Sequence, residues 1–528
     1  MNSKTSGEKI ELFLFYFCLL FNIWVILAET FHPCYDGPAH LYYSRVMDYM
    51  AGGNSFLKQY FVFNHIPVPN LADHYLLALF DLFFTTSVSE KLLLLIYFIG
   101  LPLSFRYLVS HYNPSGKALS IFIFPISHCL EFYMGGYNFC LSLTFLLFSF
   151  IYYIKNFSST TIPYTLKKYI IFLLLTLLCY FTNGLMFFLL AFLISLYELH
   201  LLYIQIKNKT LPASPQKLLL RRYLLFILLW IPGTFCMVLF RIYVLTQSYN
   251  NENFSLADHF ERLYNLRPLM VYVLDELTFT HIMLALIVLS LIIVIYSRIK
   301  DKNIKGFVFT DIFMLVWLIM LGCFFFIPNG AMVGGMTDRF CLYFFFFLVL
   351  WIALQKNTFK YSFFITILVV ITHLSLFFTY HYPAILDLDK NAVAISDAAS
   401  FMKPNSVVVP INFSDNWVEM YSCDYLGVDK PLMIVHWYEP DQHWFALNRN
   451  PDMPKIEVAN DTAWPETRWL HYDKPCPDKN ADYIFIYGEY KKNMDNYPKM
   501  DSAIKKFYSE VFVSENECIH IFELKNKQ

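Results

Sequence analysis

The chain has 528 residues, of which 57% are hydrophobic, 19% aromatic and only 15% charged, with a mean hydropathy of +0.45. Those proportions exclude an ordinary soluble domain, and a near-balance of 40 basic against 41 acidic residues excludes the basic face that nucleic-acid binding requires. The class left is an integral membrane protein.

A helix needs ~17 to 25 largely apolar residues to cross a hydrocarbon core of ~30 Å, and about eleven stretches qualify. They lie near 10–28, 88–109, 118–131, 137–154, 168–182, 184–206, 223–243, 280–298, 308–327, 338–355 and 361–380. The first has a small basic flank but no small-residue cleavage site, so it reads as a retained helix and not a signal peptide. Basic residues gather in alternate loops: Lys155, Lys167 and Lys168; Lys207, Lys209, Lys217, Arg221 and Arg222; Arg298, Lys300, Lys302 and Lys305; Lys356 and Lys360. With the N-terminus cytoplasmic, the positive-inside rule puts 29–87, 244–279, 328–337 and everything after Tyr380 on the outer face.

The first outer loop, 29–87, opens on "ETFHPCYDGPAHLYYSRVMDYMAGG", whose helical spacing is closed by Gly52-Gly53. "NLADHYLLALFDLFF" reads as a second, amphipathic helix along the membrane interface, so the two together form a roof. Further on, "LADHFERLYNLRPLMVYVLDELTF" reads as a surface helix with solvated charges. From 381 to 528 the character changes: "SVVVPINF" and "DYIFIYGEY" read as strands and "VAISDAASFMK" as a helix, which predicts a small α/β domain after a transmembrane domain of 1–380. The eleven cysteines show no CxxC or Cys/His metal spacing and read as packing residues. Cys423, Cys476 and Cys518 are the ones placed to form a disulfide if that domain faces an oxidising compartment.

The segments "YDGPAHLYYSRVM", "FYMGGYNFCLSL" and "GGMTDRFCLYFFFF" stand in a chain with an Asp just past its first helix, two interfacial helices in the first outer loop, and an outer C-terminal domain. In this it resembles the GT-C superfamily of membrane glycosyltransferases, and is similar to protein O-mannosyltransferases and bacterial lipid A aminoarabinose transferases. The resemblance covers residues 1 to about 380 as architecture. It departs from the family in one respect, since the first loop there often carries two adjacent acids and here Asp36 is followed by Gly37. It implies a membrane all-α bundle of about eleven helices with a C-terminal α/β extracytoplasmic domain. It also implies an inverting, single-displacement transfer from a polyprenyl-phosphate-linked sugar donor to a protein, lipid or glycan acceptor. The Lys, Asn, Ile, Phe and Tyr bias points to an AT-rich bacterium, hence the inner membrane with a periplasmic site, although an ER-lumenal orientation satisfies the same topology.

Such a transfer needs a base for the acceptor hydroxyl and positive charge or a metal ion for the departing phosphate. Asp36 is the candidate base; alternatively it caps the helix that begins at Gly37-Pro38. Glu131 is a second candidate acid or an interface residue, and Tyr137 and Asn138 flank the Gly135-Gly136 turn as substrate-binding candidates. Arg339, at the outer end of an apolar helix, suits a lipid phosphate, or pairs with Asp338. Arg241 suits the same role, or anchors its helix.

His32, Asp36 and His40 fall at four-residue steps, but Pro33 and Pro38 argue against one continuous helix. His40 with Asp36 and another acid would suit magnesium or manganese, while hydrogen bonding within the roof is the alternative; no cofactor is required by the sequence. "HWYEPDQHWFALNRN" reads as domain core or as a sugar-stacking surface. Two other functions fit a multi-spanning chain: a polymerase or ligase of lipid-linked polysaccharide, and a transporter, for which repeats and broken mid-depth helices are the signature.

Overall fold

Hydropathy sets the helices, and ten of the eleven expected crossings are single helices in the computed structural model. The structure describes residues 6–157, 165–208, 215–243, 253–300, 308–331, 335–356, 359–436, 438–454 and 481–525. Helix α1 (Ser6–Ala28) leads into a loop carrying α2 (Gly37–Ala51), strand β1 (Phe61–Phe63) and α3 (Ala72–Asp81). Next come α4 (Thr86–Tyr112), two short helices α5 (Ile123–Ser127) and α6 (Leu130–Tyr133), then α7 (Tyr137–Phe157), α8 (Leu166–Thr182), α9 (Gly184–Lys207) and α10 (Pro215–Tyr243). The surface helix α11 (Leu256–Tyr264) precedes α12 (Leu277–Lys300), α13 (Ile312–Phe326), α14 (Met336–Leu354) and α15 (Phe359–Leu376). Among the described residues eight helices are long and apolar enough to span a bilayer, so the chain is a multi-pass membrane protein.

Among the described residues eleven transmembrane helices are not confirmed. The expected third crossing, 118–131, is a 3-10 stretch from Pro114 to Phe122 followed by α5 and α6. Pro125 and the Gly135-Gly136 pair deny it a continuous ladder. Every residue from 118 to 133 is buried, so this irregular backbone runs inside protein and not against lipid, the one setting in which a membrane domain accommodates it. Helix α8 has 17 residues.

Helix α15 passes through a π-helical turn at Phe377–His381 into α16 (Tyr382–Ala398), so that Tyr361–Phe401 forms one rod of 41 residues. The chain therefore runs through residue 380 without a break, and the sheet starts only at β2 (Ser406–Asn412). After it come β3 (Leu432–Ile434), α17 (Tyr438–Gln442), β4 (Leu447–Arg449), β5 (Tyr483–Tyr487), α18 (Tyr490–Met494), α19 (Pro498–Phe507), β6 (Tyr508–Val513) and β7 (Ile519–Leu524). The five-stranded sheet has the order β3-β2-β5-β7-β6, with β3, β2 and β5 parallel and β7 and β6 antiparallel. Pro410 is tolerated in β2 because β3 pairs only with Ser406 to Val408, leaving that side of Pro410 without a ladder. In this unit Cys423 and Cys518 are free thiols and not disulfide partners; Cys476 lies outside the described residues.

The first loop is clamped to the C-terminal unit. Strand β1 pairs antiparallel with β4, Phe61 opposite Arg449, and the Tyr42 hydroxyl donates to Leu432 O at 3.0 Å while accepting from Ile434 N at 3.0 Å. Asp389 of α16 accepts from the Thr30 and Phe31 amides at 3.1 and 2.9 Å. Helix α3 sits with its polarity inverted relative to a soluble surface helix: Asp73, His74 and Asp81 face inward, while Tyr75 and Leu79 are half exposed and Leu82 and Phe83 more so. That is the orientation of a helix whose outer side meets lipid and whose inner side lines a polar interior.

Candidate functional site

Helix α2 starts where Pro38 supplies a pre-set φ at the first turn and stops at Gly52. Asp36 holds the N-cap position, yet its side chain makes no capping hydrogen bond and its backbone is helical, so the cap reading does not account for this carboxylate. Residues 29–35 lie outside any helix, as Pro33 and Pro38 predict, and His32 packs beside Phe132 with the two rings tilted. Tyr35 N and Asp36 N donate to Tyr133 O and Met134 O at 2.9 and 3.2 Å, which lays this stretch against the Gly135-Gly136 turn.

The turn is shaped by Gly135, whose φ of +78° favours glycine; a Cβ there would stand 2.7 Å from the Asp36 and Gly37 amide nitrogens. Glu131 borders the same turn, since Gly136 N donates to its carbonyl at 2.9 Å. The Arg339 Nε in turn donates to Glu131 Oε2 at 3.2 Å. Asp338 does not take Arg339; it pairs with Arg262 of α11. Asp36, Glu131 and Arg339, which lie far apart in the chain, thus gather around one glycine turn, with Arg267 in a short helical turn packed on α6 and α14. Arg241 is exposed near the end of α10, which packs on α8 and α9, whereas it is α14 that reaches the turn through Arg339.

Tyr137 and Asn138 begin α7 immediately after the turn. The Tyr137 hydroxyl donates to Glu90 Oε1 at 2.8 Å, and Glu90 Oε2 accepts from His32 N at 3.0 Å, so a buried acid of α4 ties the Asp36 loop to the start of α7. Asn138 Nδ2 donates to Asp73 Oδ1 at 2.5 Å while its Oδ1 accepts from Asp73 N at 2.9 Å.

That bond leads into a second cluster. His74 Nδ1 lies 2.6 Å from Asp73 Oδ1, and His74 Nε2 lies 2.7 Å from Glu439 Oε2. His40 Nδ1 lies 3.0 Å from Glu439 Oε1, 3.5 Å from Asp73 Oδ2 and 3.4 Å from His74 Nε2. The side chains of Asp73, His74 and Glu439 are fully buried. Burial alone would pull His74 down, but Glu439 and Asp73 outweigh it and hold the ring well above its usual range; His40 is raised by Asp73 and Glu439 against the same penalty. Burial pushes Asp73 and Glu439 up, and the two imidazoles reverse that, leaving both carboxyls lowered. The acids that accompany His40 are therefore Asp73 and Glu439, and the group that gathers at one point does not include Asp36.

The "HWYEPDQHWFALNRN" segment divides between two roles. Trp444 and Phe445 are buried packing residues, whereas Glu439 joins the histidines; Trp437 lies outside the described residues. Sequence reasoning passed over Asp73, His74 and Glu439. Asp73-His74 carried a signal, two adjacent polar groups at the start of a largely apolar helix, but Glu439 is separated from His74 by 365 residues and nothing in spacing links them. On the outer side of α3 an apolar cleft of about 560 Å³ is lined by Ile66, Pro67, Leu71, Leu76, Leu178 and Phe181, among others.

The class defined by fold and composition is a multi-pass membrane protein with a polar, buried interior where its first loop and C-terminal unit meet. No known protein family matches the chain, and no curated protein matches it either.

Proposed function

We propose that the protein is a membrane glycosyltransferase of the GT-C kind, moving a sugar from a polyprenyl-phosphate donor to an acceptor hydroxyl on the extracytoplasmic face. The observation that carries the reading is the meeting of an uncapping Asp36, Glu131 and Arg339 around the Gly135-Gly136 turn. In the proposed step the acceptor oxygen attacks the anomeric carbon as the carbon–oxygen bond to phosphate breaks. Asp36 takes the acceptor proton, the polyprenyl phosphate leaves with the bonding pair, and the anomeric configuration inverts.

Arg339 supports the departing phosphate. A guanidinium has five N–H donors in a planar fork that matches phosphate oxygens, and Glu131 engages Nε and so orients the group. Glu131 is in this reading a positioning residue for Arg339. The apolar cleft beside α3 suits an isoprenoid chain, and the outward apolar side of α3 suits the membrane surface from which such a lipid enters. The segments that the positive-inside rule assigns to the outside supply the roof, Arg262 and the C-terminal unit, and Arg339 stands in the first turn of the helix that follows the outer segment 328–337, in agreement with a site on the extracytoplasmic side, which in a bacterium is the periplasmic face of the inner membrane.

The test uses purified protein in detergent with a panel of radiolabelled hexosyl and pentosyl polyprenyl phosphates and measures label appearing on acceptor. Transfer in detergent, where no membrane potential exists, excludes transport as the activity. The expected result is transfer by the wild type and its loss in Asp36→Asn. A folded Asp36→Asn with full transfer would overturn the base assignment, and movement of label only across sealed vesicles would favour the transporter.

A further inference from the structure

We infer that His40, His74 and Glu439 form a zinc site that ties the first loop to the C-terminal unit. The argument begins with convergence. His40 comes from α2, His74 from α3 and Glu439 from α17; His74 Nε2 stands 2.7 Å from Glu439 Oε2, His40 Nδ1 stands 3.0 Å from Glu439 Oε1, and the two ring nitrogens are 3.4 Å apart. Ligand atoms arranged tetrahedrally at ~2.0 to 2.2 Å from one zinc ion stand roughly 3.3 Å from each other. The potential ligand atoms of His40, Asp73 and His74 also lie within 4.8 Å of one another.

Tautomer follows from the neighbours. Asp73 Oδ1 accepts from His74 Nδ1 at 2.6 Å and is itself held by Asn138 at 2.5 Å, so the Nε2 of His74 points toward His40 and Glu439. A carboxylate that orients a histidine from behind is the usual support of a metal-ligating imidazole. Its other oxygen, Oδ2, stands 3.5 Å from His40 Nδ1.

Charge favours the ion as well. Two carboxylates, Asp73 and Glu439, face the two rings in a fully buried setting, and one divalent ion balances their charge. Two imidazole nitrogens and a carboxylate oxygen select zinc or a neighbouring late first-row ion over magnesium, which prefers oxygen alone. Because Glu439 belongs to the unit that also supplies β4, the ion would lock the β1–β4 junction.

The test needs no transferase activity, so its failure and that of the proposed function are separable. Protein with its affinity tag removed is stripped with EDTA, freed of chelator and refilled with zinc chloride; metal is counted by plasma mass spectrometry and melting is followed in detergent. The expected result is about one zinc per chain bound by nitrogen and oxygen at ~2.0 to 2.1 Å in X-ray absorption. The melting temperature should fall on stripping and recover on refilling, and His74→Ala and Glu439→Gln should lose the metal. Substoichiometric zinc in the wild type with an unchanged melt would overturn the site and leave a proton-shared network. Full zinc occupancy in folded His74→Ala would place the ion elsewhere and overturn it equally.

Discussion

Replacing Gly135 by alanine tests how the Asp36 loop is held, and Gly53 provides the control. Both glycines have positive φ, +78° and +95°, but a Cβ at Gly53 meets nothing within 4 Å. Gly53→Ala should therefore cost only the left-handed backbone term, about 1 to 2 kcal/mol. At Gly135 the added Cβ stands 2.7 Å from two amide nitrogens and 2.8 Å from the Asp36 Cβ, closer than such atoms pack, so backbone has to move. Adding ~1 to 3 kcal/mol of overpacking to the backbone term gives about 2 to 5 kcal/mol for Gly135→Ala. The movement falls on Asp36, and a displacement approaching 1 Å at a reacting group lowers turnover roughly 10²-fold. The assay is melting in detergent for both variants beside transfer from the lipid-linked donor. Gly53→Ala should keep its transfer rate; Gly135→Ala should melt lower than Gly53→Ala and lose most of its transfer. A Gly135→Ala protein that melts with Gly53→Ala and transfers at the wild-type rate would refute the reasoning.

Other perturbations separate positioning from stability. Arg339→Ala should weaken donor binding in a titration with polyprenyl-phosphate sugar while Arg339→Lys, which keeps charge but not the planar fork, recovers part of it; unchanged affinity in Arg339→Ala would remove the phosphate role. Arg106 binds Glu11 through two contacts of 2.5 and 3.1 Å, and Glu11 is 2% exposed. Arg106→Ala leaves that buried carboxylate without its cation and should destabilise by ~3 to 5 kcal/mol, seen as a large loss of thermal stability with the Glu11→Gln second change recovering part. Asn183 accepts from Leu185 N at 2.9 Å and Met186 N at 3.4 Å at the start of α9, so Asn183→Ala should cost about 1 kcal/mol, a small downward melting shift with transfer unaffected.

Asp36, Glu131, Tyr137, Asn138, Arg339 and His40 were legible one by one because each is a polar residue at the end of an apolar run, or beside a Gly-Gly pair. Their grouping was not legible. Arg339 was as free to meet Asp338 as Glu131, and the structure assigns Asp338 to Arg262. Glu276 reads from sequence as one of several solvated charges, yet it is fully buried and accepts from the Val271, Tyr272 and Val273 amides at 2.6, 2.7 and 3.1 Å. In each case the partner is chosen by how segments pack, which no local pattern encodes.

By itself the sequence determined the membrane class, ten helices, the bounds of α2 between Pro38 and Gly52, and the strands β2 and β5. These follow from hydropathy and backbone restriction, which act over a few turns of chain. Tertiary structure alone decided that residues 114–133 thread the bundle as broken backbone and that α3 turns its acids inward. It alone brought Glu439 to His40 and His74. An apolar run specifies that it must be buried in something apolar, but whether that is lipid or protein, and which carboxylate a buried histidine meets, depends on contacts between segments hundreds of residues apart.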